Sequence, residues 1–186
     1  VSFVPEQMDR ALKSLSDHLG GCDTVILSTC NRTELFLDTD GDAGSVLQWL
    51  ADFHQVSLAE LANCYYAHKD EDAARHLMQV AAGLDSLVLG EPQIFGQIKS
   101  AYARAVEAGT VTGPLHHALQ HVFTVAKRVR AETAIGHNPV SVAFAAVRLA
   151  EQIFGQLNGS TALVLGAGKT IELVVRHLKE RGVAKI

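Results

Sequence analysis

Between Asp70 and Phe154 glycine and proline cut the chain into pieces of helical length, and this punctuation limits the fold more than anything else in the sequence. Gly83, Gly109 and Gly155 stand where helices would stop. Pro92 and Pro114 stand where helices would start, because a first-turn residue needs no N–H for an intrahelical bond. The spacing predicts helices over 70–82, 91–108, 114–133 and 140–154. Asp70 is the expected N-cap of the first, and Glu71 and Asp72 suit the positive end of its dipole.

The residues before Asp70 are mixed. A helix is expected over 5–19, stopped by Gly20-Gly21, followed by strands over 24–29 and 34–38. A turn at Asp40-Gly41-Asp42 leads to a helix over 45–54. Ser57 and Glu60 have capping-box spacing, which predicts a short helix to about residue 63. Residues 65–68 read as a third strand. After a boundary at 155–160, the run TALVLGAGKTI at 161–171 reads as a buried strand, a glycine turn and a helix that continues to Arg181. Residues 183–186 read as the start of another strand. The expected class is α+β with a long connecting helix, followed by the first β-α unit of a Rossmann-type domain, in units of 1–136, 137–158 and 159–186.

Of the 186 residues 48% are hydrophobic and 19% charged, which suits a globular chain with a real core. The net charge of −4 supplies no global field for nucleic acid, so any RNA contact has to be local. No apolar run approaches a membrane span, and no signal peptide is visible. Three cysteines without CxxC spacing argue for a reducing cytoplasm and against a disulfide frame or zinc ribbon. Both ends read as cuts within a longer protein.

Cys22 and Cys64 are expected to be inert, buried hydrophobes. Cys30 differs, because it follows a strand and stands two residues before Arg32, a cation that favours the nucleophilic thiolate. On these residues alone, a nucleophile and a small packing residue are both open. His76 falls on the flank of an apolar stripe centred on Leu77 and Leu84, where it either faces a cleft or packs at an interface. Lys127, Arg128, Arg130 and Arg148 read as solvated charge. The segment 83–93 gathers Ser, Glu and Gln between two glycines, as a binding loop would. Gly166-Ala167-Gly168 fits a phosphate-binding turn, although Ile171 fills the third glycine position of GxGxxG.

Three blocks together, STCNRTEL at 28–35, GLDSLVLGEPQIFGQIK at 83–99 and AKRVRAETAIG at 126–136, resemble the glutamyl-tRNA reductases. The glycine turn follows them in the order that this family shows. The resemblance implies a catalytic domain, a spinal helix and the opening of an NADPH domain, with the family's first strand, the rest of that domain and its dimerisation domain outside these residues. It implies NADPH-dependent reduction of glutamyl-tRNA(Glu) to glutamate-1-semialdehyde, the first step of tetrapyrrole synthesis. Cys30 would be the nucleophile that forms a thioester, and His76 a catalytic residue that orients the ester or handles a proton. Arg32 would clamp the substrate carboxylate, with Thr29, Asn31, Ser86, Glu91, Pro92, Gln93 and Gln97 also binding substrate. Gly166, Ala167, Gly168, Lys169, Thr170 and Ile171 would bind the cofactor, although relatives often carry Glu where this chain has Lys169. No metal is implied. The implied partners are glutamyl-tRNA, a second copy of the full-length protein and the downstream glutamate-1-semialdehyde aminomutase, with no membrane. A tRNA-binding module without catalysis, and an ordinary NAD(P)-dependent dehydrogenase with an inert cysteine, are the competing readings.

Overall fold

A computed structural model describes residues 1–86, 89–136 and 142–186. After a short 3-10 turn at Pro5–Gln7, α1 (Met8–His18) buries Ala11, Leu12 and Leu15. Strands β1 (Thr24–Ser28) and β2 (Thr33–Leu37) pair antiparallel, with Ser28 opposite Thr33 and Thr24 opposite Leu37. Val25, Ile26 and Leu27 are all buried. Such an unbroken apolar run suits a strand covered on both faces.

Helix α2 (Ala43–His54) begins two residues earlier than the pattern predicts, because the Asp42 side chain accepts from the Ser45 amide. The capping box forms as expected: Ser57 and Glu60 bond reciprocally at the start of α3 (Leu58–Leu61). The predicted third strand does not form. Residues 65–68 are irregular, with Tyr65 and Tyr66 about half exposed. The Tyr66 ring packs on His68 and His76 instead of pairing in a ladder. β-propensity expresses itself only where a partner strand and a buried face are available.

The four predicted helices appear as α4 (Asp70–Ala82), α5 (Pro92–Ala108), α6 (Pro114–Glu132) and α7 (Val142–Phe154). The predicted start of α7 at residues 140 and 141 lies outside the described residues. Asp70 is not the cap but the first residue of α4; Lys69 holds the cap position without a side-chain bond. Gly83 closes α4 at φ +81°, and the bonds Gly83 N–H to Val80 O and Leu84 N–H to Gln79 O make a Schellman ending. Leu84 therefore leaves the apolar stripe in which the periodicity placed it, and it is 46% exposed.

α1, α4, α5 and α6 surround the two-stranded sheet in one core that includes Leu12, Val25, Ile26, Val80, Ile98, Leu119 and Val122. A second, smaller cluster joins Val147, Leu157, Leu178 and Val183, between α7 and α8 (Lys169–Glu180). The predicted strand at 161–165 is reduced to one parallel bridge between Thr161 and Lys185. Leu163 and Leu165 are over four-fifths exposed while Ala162 and Val164 pack against the second cluster, so only one face of this run is covered. A parallel strand is buried by neighbours and helices on both faces, and among the described residues it has a single bridge. No helix among the described residues is long and apolar enough to cross a membrane.

Candidate functional site

The cysteine that the sequence places at a strand end stands on the tip of the β1–β2 hairpin. Residues 29–32 make the turn. The Thr29 amide donates to the Arg32 carbonyl at 2.8 Å. The Thr29 hydroxyl accepts from the amides of Asn31 and Arg32 at 3.2 and 3.0 Å and donates to the Arg32 carbonyl. A threonine hydroxyl that satisfies the turn's own backbone locks it locally. Cys30 and Asn31 are thereby held outward, and both are exposed. Cys22 is half-buried and Cys64 exposed, so Cys64 is not the buried residue expected from the sequence; all three are free thiols.

The structure centres the site on a residue that the sequence reading did not single out. Glu34 follows the turn on β2, and its side chain is only 5% exposed. One oxygen accepts from Arg32 Nη1 at 3.0 Å and Tyr66 Oη at 2.7 Å, and the other meets His76 Nε2 at 3.1 Å. The rings of Tyr66 and His76, both bonded to Glu34, pack on each other and on His68 at 4.8–5.4 Å between centroids. A buried carboxylate needs partners of this kind, since desolvation without them is costly. The only sequence signal for it was a charge at an inward position of a strand.

Arg32 reaches further. Nη1 also donates to Asp85 Oδ2 at 2.9 Å, and Nη2 donates to the Asp85 carbonyl. Burial works against the guanidinium charge, but the Asp85 hydrogen bond and the charges of Glu34 and Asp85 outweigh it and raise its pKa. Burial first, and then the bond to Glu34, pushes the Tyr66 phenol far above its ordinary value. More than half of Tyr66 is exposed, yet its hydroxyl end is turned in to the carboxylate. Tyr66 thus stays a donor.

These contacts join three distant segments: the hairpin, α4 through His76, and the loop after α4 through Asp85. Ser86, next to Asp85, is half-buried. Glu91 caps α5 and Pro92 opens it, while Gln93 and Gln97 stand exposed one turn apart. None of these five makes a hydrogen bond to the hairpin among the described residues. Arg130, read from sequence as solvated, instead donates to the carbonyls of Ala82 and Gly90 at 3.2–3.4 Å. It clasps the two ends of the 83–90 loop, where Gly90 N–H also bonds Gly83 O at 2.8 Å.

The glycine turn lies at the start of α8. Gly166 has φ +123°, and Gly168 is the N-cap, where an added Cβ would meet nothing within 4 Å. Ile171 packs its Cγ1 3.4 Å from where a Gly166 Cβ would sit. Residues 166–168 are exposed. An open glycine backbone leading into a twelve-residue helix fits a phosphate group, which the unpaired first amides of the helix can bind.

Residues 1–133 match the family described as glutamyl-tRNAGlu reductase, N-terminal domain. The chain belongs to the glutamyl-tRNA reductase family. Residues 148–186 match a second family, shikimate / quinate 5-dehydrogenase, so this end of the chain is dehydrogenase-like. Glutamyl-tRNA reductases of Pseudomonas aeruginosa and Saccharophagus degradans are 59% and 57% identical over all of this chain. The chain spans 44% of the length of each. The solved glutamyl-tRNA reductase from Methanopyrus kandleri matches with a TM-score of 0.62 at 34% identity, over 96% of this chain and 43% of that one.

Proposed function

We propose that this chain supplies the thioester-forming part of an NADPH-dependent glutamyl-tRNA reductase. The observation that carries the reading is the exposed Cys30 on a locked hairpin turn, in a chain that resembles glutamyl-tRNA reductases from end to end. The Cys30 thiolate attacks the carbonyl carbon of the ester that joins glutamate to tRNA. A C–S bond forms, the C–O bond breaks, and the released tRNA hydroxyl takes up a proton.

Arg32 binds the side-chain carboxylate of the substrate, for which its planar fork is suited. Thr29 and Asn31 shape the turn beneath the reacting carbon. Ser86, Glu91, Pro92, Gln93 and Gln97 line the substrate's path from the loop and the first turns of α5. His76 is held through Nε2 by Glu34, so in its neutral form the Nδ1 nitrogen is the one left to orient the ester or move a proton. The backbone of 166–171 would hold the pyrophosphate of NADPH, which when bound would supply the hydride for reduction of the thioester. Thiolate is a good leaving group, and a thioester accepts hydride more readily than an ester. The whole enzyme acts as a homodimer and passes its aldehyde to the aminomutase that consumes it.

The test is mass spectrometry of the full-length protein after mixing with glutamyl-tRNA and no NADPH. A glutamyl adduct on Cys30, absent from Cys30→Ser, is expected. Bound tRNA with an unmodified thiol would mean a binding module without catalysis. An untouched thiol in this test, with NADPH-dependent reduction of other substrates in a separate assay, would mean an ordinary dehydrogenase.

A further inference from the structure

Arg32 is not an empty clamp. Its Nη1 is already shared between two carboxylates, Glu34 at 3.0 Å and Asp85 at 2.9 Å, and its Nη2 is taken by the Asp85 carbonyl. The guanidinium carries one positive charge and its two neighbours carry two negative ones. A third carboxylate arriving at the same fork meets net repulsion unless one resident leaves.

The two residents differ in what it costs to remove them. The Glu34 side chain is 5% exposed and also receives Tyr66 and His76, so pulling it away would strand three partners. The Asp85 side chain is 51% exposed, and Arg32 is its only side-chain partner among the described residues. Rotating its side chain into water replaces one half-exposed ion pair by hydration, a small cost, and leaves only a neutral carbonyl on Nη2.

We propose that Asp85 is a resident counter-ion that occupies the Arg32 fork in the empty site and is displaced by the substrate's carboxylate. This rests on the reading of Arg32 as the substrate clamp. While the site is empty, Asp85 keeps Arg32 extended toward the loop after α4. When substrate binds, one carboxylate replaces another and the charge around Arg32 is unchanged. Glu34 stays throughout and keeps Arg32 tied to β2. Because a ligand sees only the fraction of sites in which Asp85 has already moved away, the latch weakens apparent affinity by that fraction.

The experiment uses the full-length enzyme with Asp85→Asn and Asp85→Ala, both at a half-exposed position that the core does not need. KM for glutamyl-tRNA is expected to fall about two- to five-fold, the scale of a half-exposed ion pair. The inhibition constant of glutarate, a dicarboxylate of the same length as the glutamate side chain and backbone carboxylate, should fall in parallel. Chloride should compete more strongly in the variants than in the wild type, because without the Asp85 carboxylate the Arg32–Glu34 pair no longer repels an arriving anion. A rise in KM in both variants would show that Asp85 only props Arg32 in place. Unchanged KM and unchanged glutarate inhibition would equally overturn the latch. In each of those cases an active wild type leaves the proposed function standing. A wild type that neither reduces glutamyl-tRNA nor binds glutarate would remove both.

Discussion

A lysine at Arg32 would keep the charge but could not hold Glu34 together with Asp85, or with the substrate carboxylate that replaces it, through one planar fork. Arg32→Lys in the full-length enzyme is therefore expected to lower kcat/KM by roughly tenfold or more, read from steady-state kinetics. Glu34 is the more demanding residue, since it takes three hydrogen bonds in a nearly buried position. Glu34→Gln keeps the shape but loses the charge, and it is expected to cost about 2 kcal/mol of stability in denaturant titration. Restored stability in the paired variant Glu34→Gln with Arg32→Gln would show that the lost charge pair is the cause. His54 sets a pH dependence of a different origin. Burial holds its pKa below the ordinary 6.5, and its buried Nε2 has no hydrogen-bond partner among the described residues. The folded state thus binds this proton less readily than the unfolded one. The associated stability is complete above 6.5 and drains away as pH falls below it. His54→Asn should flatten that acid-side loss, measured as melting temperature on either side of pH 6.5.

The loop after α4 shows how one element is held by others. Gly83 and Gly90 both have φ near +80°, and they pack so closely that a Cβ on Gly83 would lie 3.2 Å from Gly90 Cα. A Cβ on Gly90 would meet the Ile135 carbonyl at 2.8 Å. Gly90→Ala is therefore expected to cost about 1–3 kcal/mol from the backbone alone, with the clash in addition. Arg130→Leu opens the same neck by removing the donor to two carbonyls, and about 1–3 kcal/mol should be lost. Limited proteolysis should then cut the 83–90 loop first. Much of this level was legible beforehand. Thr29 to Glu34 reads as strand, polar turn and strand, and Gly83, Pro92 and Gly109 mark helix ends that the structure keeps to the residue. The role of Arg130 was not legible, because a basic residue on a helix looks the same whether it faces water or the carbonyls of another element.

The described residues form two apolar clusters, one around the hairpin and one between α7 and α8. Truncating a residue in one should leave the other intact, because distant sites are close to additive. Leu178→Ala is expected to lower the melting of the α7–α8 unit by about 2–5 kcal/mol, and Leu119→Ala that of the larger unit, as separate shifts in calorimetry. A common shift of a single transition would mean that the two clusters unfold together. Local chemistry settles what lies within reach of neighbouring residues in the chain. Proline and glycine end helices, Ser57 and Glu60 cap one, the apolar period picks a buried face, and the Thr29 hydroxyl closes its own turn. Even Cys30 was marked by what stands beside it. Tertiary structure alone decided the rest. Tyr66 donates its hydroxyl to Glu34 from an irregular segment, with no strand beside it among the described residues. The meeting of Arg32, Glu34, His76 and Asp85 joins residues up to 53 positions apart. Pairings over such distances depend on how helices pack around the sheet, and residue type and spacing carry no direct record of that.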